Sequence, residues 1–232
     1  MAPKDLIIDG AKFVPNNYAA ILDHAEAPSE LHFVQDLLAH SEVGYALTQP
    51  EFFSSQQVLR FWRTGLFDDG GQRGTPSIIF QVGDSSFVVT PGTVRRALHL
   101  PEDCTFSIPE DSALRELMAE LGYEKSLTKL GQLKRANIRR EWSFFFDCIT
   151  KAFGNKCSNF DAIPILSQHI GYAIIHQTHF DFATGIIGFI GDRMTEDRDV
   201  VYFARFCQLI YTYCTDEPHL VSTKTPPFKV AK

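Results

Sequence analysis

SIIFQVGDSSFVVTPGTVRRALHLP, Ser77 to Pro101, carries the change of period on which the fold class turns. Ser77–Val82 and Ser86–Val89 are short runs rich in β-branched and aromatic residues. The Gly83-Asp84-Ser85 between them predicts a hairpin with a tight turn. At Thr90 the register changes. A hydroxyl in the N-cap position followed by Pro91 predicts a helix start, and Val94, Ala97 and Leu98 continue at helical spacing to His99-Leu100-Pro101.

Outward from this stretch the apolar spacing is helical. Phe33, Val34, Leu37 and Leu38, then Phe52, Phe53, Val58, Leu59 and Trp62, predict two helices with a break around Gly44 to Pro50. Asp68–Gly74 is too rich in glycine for a regular element and predicts a loop. Beyond a linker at 102–108, Pro109–Leu121 predicts a helix stopped by Gly122. Leu133, Ile138, Trp142, Phe145, Phe146, Ile149 and Phe153 predict a long amphipathic helix ending at Gly154, with its aromatic face in the core. Two further helices are expected over Ile163–Phe182 and Val200–Tyr213, joined by the glycine-punctuated Thr184–Asp192. The expectation is a mainly α protein with one β-hairpin (α+β) in a single globular helical domain, residues 31–214. An N-terminal arm, 1–30, precedes it and a disordered tail, 215–232, follows.

With 232 residues, 44% of them hydrophobic, the chain can bury a substantial core without staples. No segment has the roughly 18 uninterrupted apolar residues of a membrane span, and MAPKDLIIDG carries no secretory h-region. These features predict an intracellular protein, cytoplasmic or nuclear, with no membrane partner. The five cysteines are odd in number and irregularly spaced, without a C-x-x-C pair, so small buried thiols are expected rather than a disulfide framework.

The formal charge of −6 conceals an asymmetry. Lys125, Lys129, Lys134, Arg135, Arg139 and Arg140 fall in one stretch without an acidic residue, so the remainder of the chain carries −12. A basic patch on an acidic body attracts nucleic acid or an acidic partner. Lys134, Arg135, Arg139 and Arg140, spread along one side of the expected long helix, are the candidate nucleic-acid-binding residues, with Asn137 as an added donor.

Val58–Phe67 (VLRFWRTGLF) with Ile78–Pro101, and Leu133–Pro164 (LKRANIRREWSFFFDCITKAFGNKCSNFDAIP), resemble the Gag-like domain of plant retrotransposons. The first block is also distantly similar to the plant mobile domain. The resemblance implies a domain origin and not a chemistry; the function expected of such a domain is a non-enzymatic structural or interaction protein that associates with itself or binds RNA, DNA or a protein partner. The zinc knuckle, protease triplet and polymerase signature of a complete element are missing from this sequence.

The competing chemistry is weaker. His176 and His179, three apart on the expected helix, could turn their imidazoles the same way with His169 and Asp181 nearby. H-x-x-H without a clear third ligand predicts no metal, and no cofactor motif is present. The alternatives to the Gag-like reading are an enzyme recruited from this scaffold, with a polar pocket around His176, His179, Asp181 and Asp192, and a protein-binding adaptor. Gly83-Asp84-Ser85 has the look of a nucleophile triplet, but its place between two strands makes it a turn.

Overall fold

The computed structural model describes residues 6–14, 16–71, 74–102, 108–154, 161–215, 217 and 224–225. Along the chain come β1 (Leu6–Ile8), β2 (Ala11–Phe13), α1 (His32–Ala39), α2 (Gly44–Thr48), β3 (Phe53–Ser54) and α3 (Ser55–Thr64). Then follow β4 (Leu66–Asp68), β5 (Ser77–Val82), β6 (Ser85–Val89), α4 (Pro91–Leu98), α5 (Asp111–Glu120) and α6 (Arg140–Phe153). The last elements are α7 (Ile165–His176), α8 (Phe182–Glu196), β7 (Val200–Val201), α9 (Ala204–Thr215) and β8 (Lys224–Thr225). The fold is mainly helical with a hairpin, as the spacing predicts. Within it the chain divides into two compact units that alternate along the sequence.

The first unit takes residues 1–17, 50–102 and 182–228. Its main sheet has the antiparallel order β4-β5-β6, with Phe80 opposite Phe87 and Ile78 opposite Val89 in the predicted hairpin. Gly83, at φ +58, makes the turn. Ile78, Phe80 and Val89 are fully buried, and α3 and α9 pack beside these strands. Thr90 caps α4 in a capping box with Thr93, and Pro91 sits at its start, an arrangement that stabilises the helix by about 1 kcal/mol. Ser54 accepts from the Gln57 amide at the start of α3.

Four elements of this unit depart from the expectation. The stretch read as an arm holds the β1-β2 hairpin, turned at Asp9-Gly10 with both residues at positive φ, and β2 pairs in parallel with β7. Thr184–Asp192, read as a break, lies inside α8. Gly191 is required there, because a Cβ would stand 2.2 Å from the Phe67 ring. The segment read as a helix from Val200 opens as β7, turns at Phe203 and becomes helical at Ala204. In the expected tail, Lys224 and Thr225 form β8 against β3, and most of the other tail residues lie outside the described residues.

The second unit takes residues 18–49, 103–181 and 229–232. Its centre is α6, packed on α1, α2 and α7. Trp142 is 9% exposed, makes edge contacts with Phe33 and Phe145, and stands above the fully buried Phe145 and Phe146. Gly171 of α7 permits the close approach, since a Cβ there would fall 2.6 Å from the Phe146 ring. Two helix boundaries move. α7 stops at His176, where Gln177 takes a left-handed conformation, and α6 begins at Arg140 rather than near Leu133. The expected linker at 102–108 lies largely outside the described residues.

Candidate nucleic-acid interface

The basic segment is not the first part of the long helix. Leu130–Gln132 and Arg135–Asn137 form single 3-10 turns, and Arg139 at ψ 150 leads into α6. Contacts distant in sequence hold this extended path. The Arg135 amide donates to Asp161 O (2.7 Å), the Ile163 amide to Leu133 O (2.8 Å) and the Lys134 amide to the Tyr123 hydroxyl (3.1 Å). Gln168, fully buried, donates to Leu130 O and Ile163 O and so closes the turn from beneath.

Each of the four predicted cations meets a carboxylate. Lys134 Nζ lies 3.6 Å from Asp161, Arg135 Nη1 2.5 Å from Asp147 and Arg139 Nε 3.6 Å from Glu141, and Arg140 pairs with Glu30. Their exposures separate them into two kinds. The side chains of Lys134, Arg139 and Arg140 are 61%, 56% and 68% exposed, whereas Arg135 is 20% exposed. Arg135 shares Asp147, itself 11% exposed, with Lys151, whose Nζ donates to the other carboxylate oxygen at 2.8 Å. The Arg135 to Asp147 contact is an ion pair. It is a structural pair in a setting where a missing partner would be costly.

Arg139 has a second task. Its Nε and Nη2 donate to Leu121 O and Glu120 O, so the guanidinium covers the carbonyl end of α5, where the helix dipole favours a cation. Beside it, Gly122 turns the chain at φ +81. Exposed pairs such as Lys134 with Asp161 and Arg140 with Glu30 contribute about 0–1 kcal/mol. Their carboxylates therefore yield readily to a stronger anion.

Below this surface is a cavity of about 230 Å³, bounded by Leu31, Gln35, Arg135, Arg140, Phe144 and Asp147 among others. Gln35 is buried, and its Oε1 meets no hydrogen-bond donor among the described residues. Sequence reasoning missed Gln35, Glu30 and Asp161. Glu30 is 110 residues from Arg140, and nothing local signals that pairing.

No family model, curated protein or solved structure matches this chain.

The histidines do not come together as a ligand set. His176 ends α7 and lies against Tyr172, while His179 falls beyond the helix with Nδ1 2.6 Å from Glu42. His169 lies near Phe180, and burial pushes its imidazole below the ordinary range against the opposing pull of Asp111. Asp181 stands between α7 and α8, and Asp192 belongs to the other unit, on the exposed side of α8. Among the described residues no group of three His, Cys, Asp or Glu could hold a metal ion, and no helix is long and apolar enough to cross a membrane.

Proposed function

We infer that this protein is a non-enzymatic, Gag-like interaction protein that associates with itself and contacts the phosphates of RNA or DNA through Lys134, Arg139 and Arg140. The observation that carries the reading is the exposure of these three side chains on a segment whose backbone is pinned by hydrogen bonds to the Tyr123 hydroxyl and to the backbone of Asp161 and Ile163. A pinned backbone has little further freedom to lose when its side chains meet a phosphate, and the carboxylates beside them are exposed enough to be displaced. Arg135 leaves the contacting set, because it is largely shielded and paired with the buried Asp147. The sequence resemblance supplies the class of protein, and the exposed cations supply a surface suited to that class. A polar pocket around His176, His179 and Asp181 has less support, with His179 turned to Glu42.

Fluorescence anisotropy with a labelled single-stranded RNA over a salt series tests the reading. Each displaced phosphate counterion adds about 0.7 to the slope of log affinity against log salt. Lys134→Gln with Arg140→Gln should flatten the slope by about 1.4 across all sequences without unfolding the protein. Absence of binding at about 50 mM salt would remove nucleic acid from the proposal.

A further inference from the structure

The outer face of the β4-β5-β6 sheet carries a row of aliphatic side chains. Leu66 is paired with Ile79, and Ile79 with Val88, one residue on each strand. They are 63%, 40% and 55% exposed, while the neighbours on the opposite face, Ile78, Phe80 and Val89, are buried. Alternation explains the buried set but not the exposed one, because a solvated sheet face normally carries polar residues. The row ends at β6, and beyond β6 no further strand is paired among the described residues.

The two edges of this sheet differ. β4 is three residues long and ends in Asp68, a charge of the kind that guards an edge. β6, Ser85–Val89, has no charge, proline, glycine or bulge along its five residues. An unguarded, apolar edge strand is a template for another strand.

We propose that β6 is a self-association surface, in which two copies of this chain pair their β6 strands antiparallel about a two-fold axis through Phe87. The proposal rests on the self-association in the function proposed above and assigns it a surface. Three features specify a second copy as the occupant. A two-fold axis brings like residues close together, and β6 has no charge to repel its counterpart. With Phe87 at the axis, Ser85 lies opposite the Val89 of the second copy and Ser86 opposite its Val88, so the two aliphatic rows join diagonally across the seam. The same register carries Asp84, in the β5-β6 turn, to the position opposite Thr90 of the second copy, the N-cap of α4. The first turn of α4 has no acidic residue, and the positive end of its dipole favours one there.

The test is sedimentation equilibrium of the full chain without nucleic acid, over a wide concentration range, with amide hydrogen exchange of Ser85–Val89 measured alongside. A monomer–dimer equilibrium is expected, with β6 amides that exchange more slowly as concentration rises. Val88→Lys places two ammonium groups beside the seam and should give a monomer that melts where the wild type does at concentrations too low for it to pair. Val88→Thr, which keeps the shape and the β preference, should remain a dimer. A wild-type monomer at every concentration overturns the proposal, whether or not RNA binds, as does a dimer that survives Val88→Lys. If the dimer forms and dissociates as expected while RNA fails to bind, only the nucleic-acid part of the proposed function falls.

Discussion

Replacing Asp147 by alanine removes the carboxylate that pairs with both Arg135 and Lys151. The Asp147 side chain is 11% exposed, and the two cations are 20% and 18% exposed. Removing one partner of a buried ion pair costs about 3–5 kcal/mol, because the charge left behind has lost its water as well as its partner. The fifth of each cation that solvent reaches screens part of this, which brings the expected cost to about 2–3 kcal/mol. In urea this moves the unfolding midpoint down by about 1 M, for a slope near 2–3 kcal/mol per M. Glu30→Ala is the internal control. It removes the partner of Arg140 in a pair whose side chains are 68% and 53% exposed, and its cost should stay within about 1 kcal/mol. If Asp147→Ala also stays within about 1 kcal/mol, Arg135 is not held by Asp147. The residue then returns to the set that can meet a phosphate.

Three other outcomes follow from the packing. Trp142→Ala should cost about 3–5 kcal/mol by calorimetry or denaturant, since it removes a buried indole in contact with Phe33 and Phe145. Gly191→Ala places a methyl 2.2 Å from the Phe67 ring and should lower stability by about 1–3 kcal/mol, a loss that the companion change Phe67→Leu should partly restore. Burial pushes the Cys148 and Cys207 thiols well above their ordinary range and Cys214 up to about 11. Mass-mapped alkylation at pH 8 should therefore leave Cys148 and Cys207 unmodified until the protein unfolds. A raised thiol value means that folding disfavours the thiolate. Stability is then whole below the ordinary thiol range and falls as pH rises beyond it, so the melting temperature should hold to about pH 8 and decline from about pH 9 upward.

The hairpin was legible because its signals are local: two runs rich in β-branched and aromatic residues, the Gly83-Asp84-Ser85 turn, and a Thr-Pro cap. The N-terminal hairpin had a local signal too, Asp9-Gly10 between apolar runs, but its strands of three residues are short for alternation to register. The basic segment misled for a physical reason. Leu133 and Ile138 continue the apolar spacing of α6 backwards, but they are buried by long-range bonds to Tyr123, Asp161 and Ile163 and not by helical periodicity. α8 was hidden by Gly185, Gly188 and Gly191, which weaken a helix in isolation. The third is used for contact with Phe67, and tertiary packing overrides the propensity. Of the candidate site, the identity of the cations could be read in advance. Their division into exposed and structural could not, because Asp147, Glu30 and Asp161 become partners only through the fold.

Asn16 and Asn17 are buried, and their side-chain oxygens accept from the amides of Phe203 and Phe206, 187 and 189 residues further along. Beside them β2 takes its parallel partner from Val200 and Val201. A ribosome adding 5–20 residues per second makes these partners on the order of 10–40 s after the asparagines. Throughout that interval β1 and β2 exist without the element that completes their sheet. The whole intervening sequence, including all of α6 and α7, has by then been made. The β1-β2 hairpin is thus made long before the strand it pairs with, and its place in the sheet is secured only once β7 has followed.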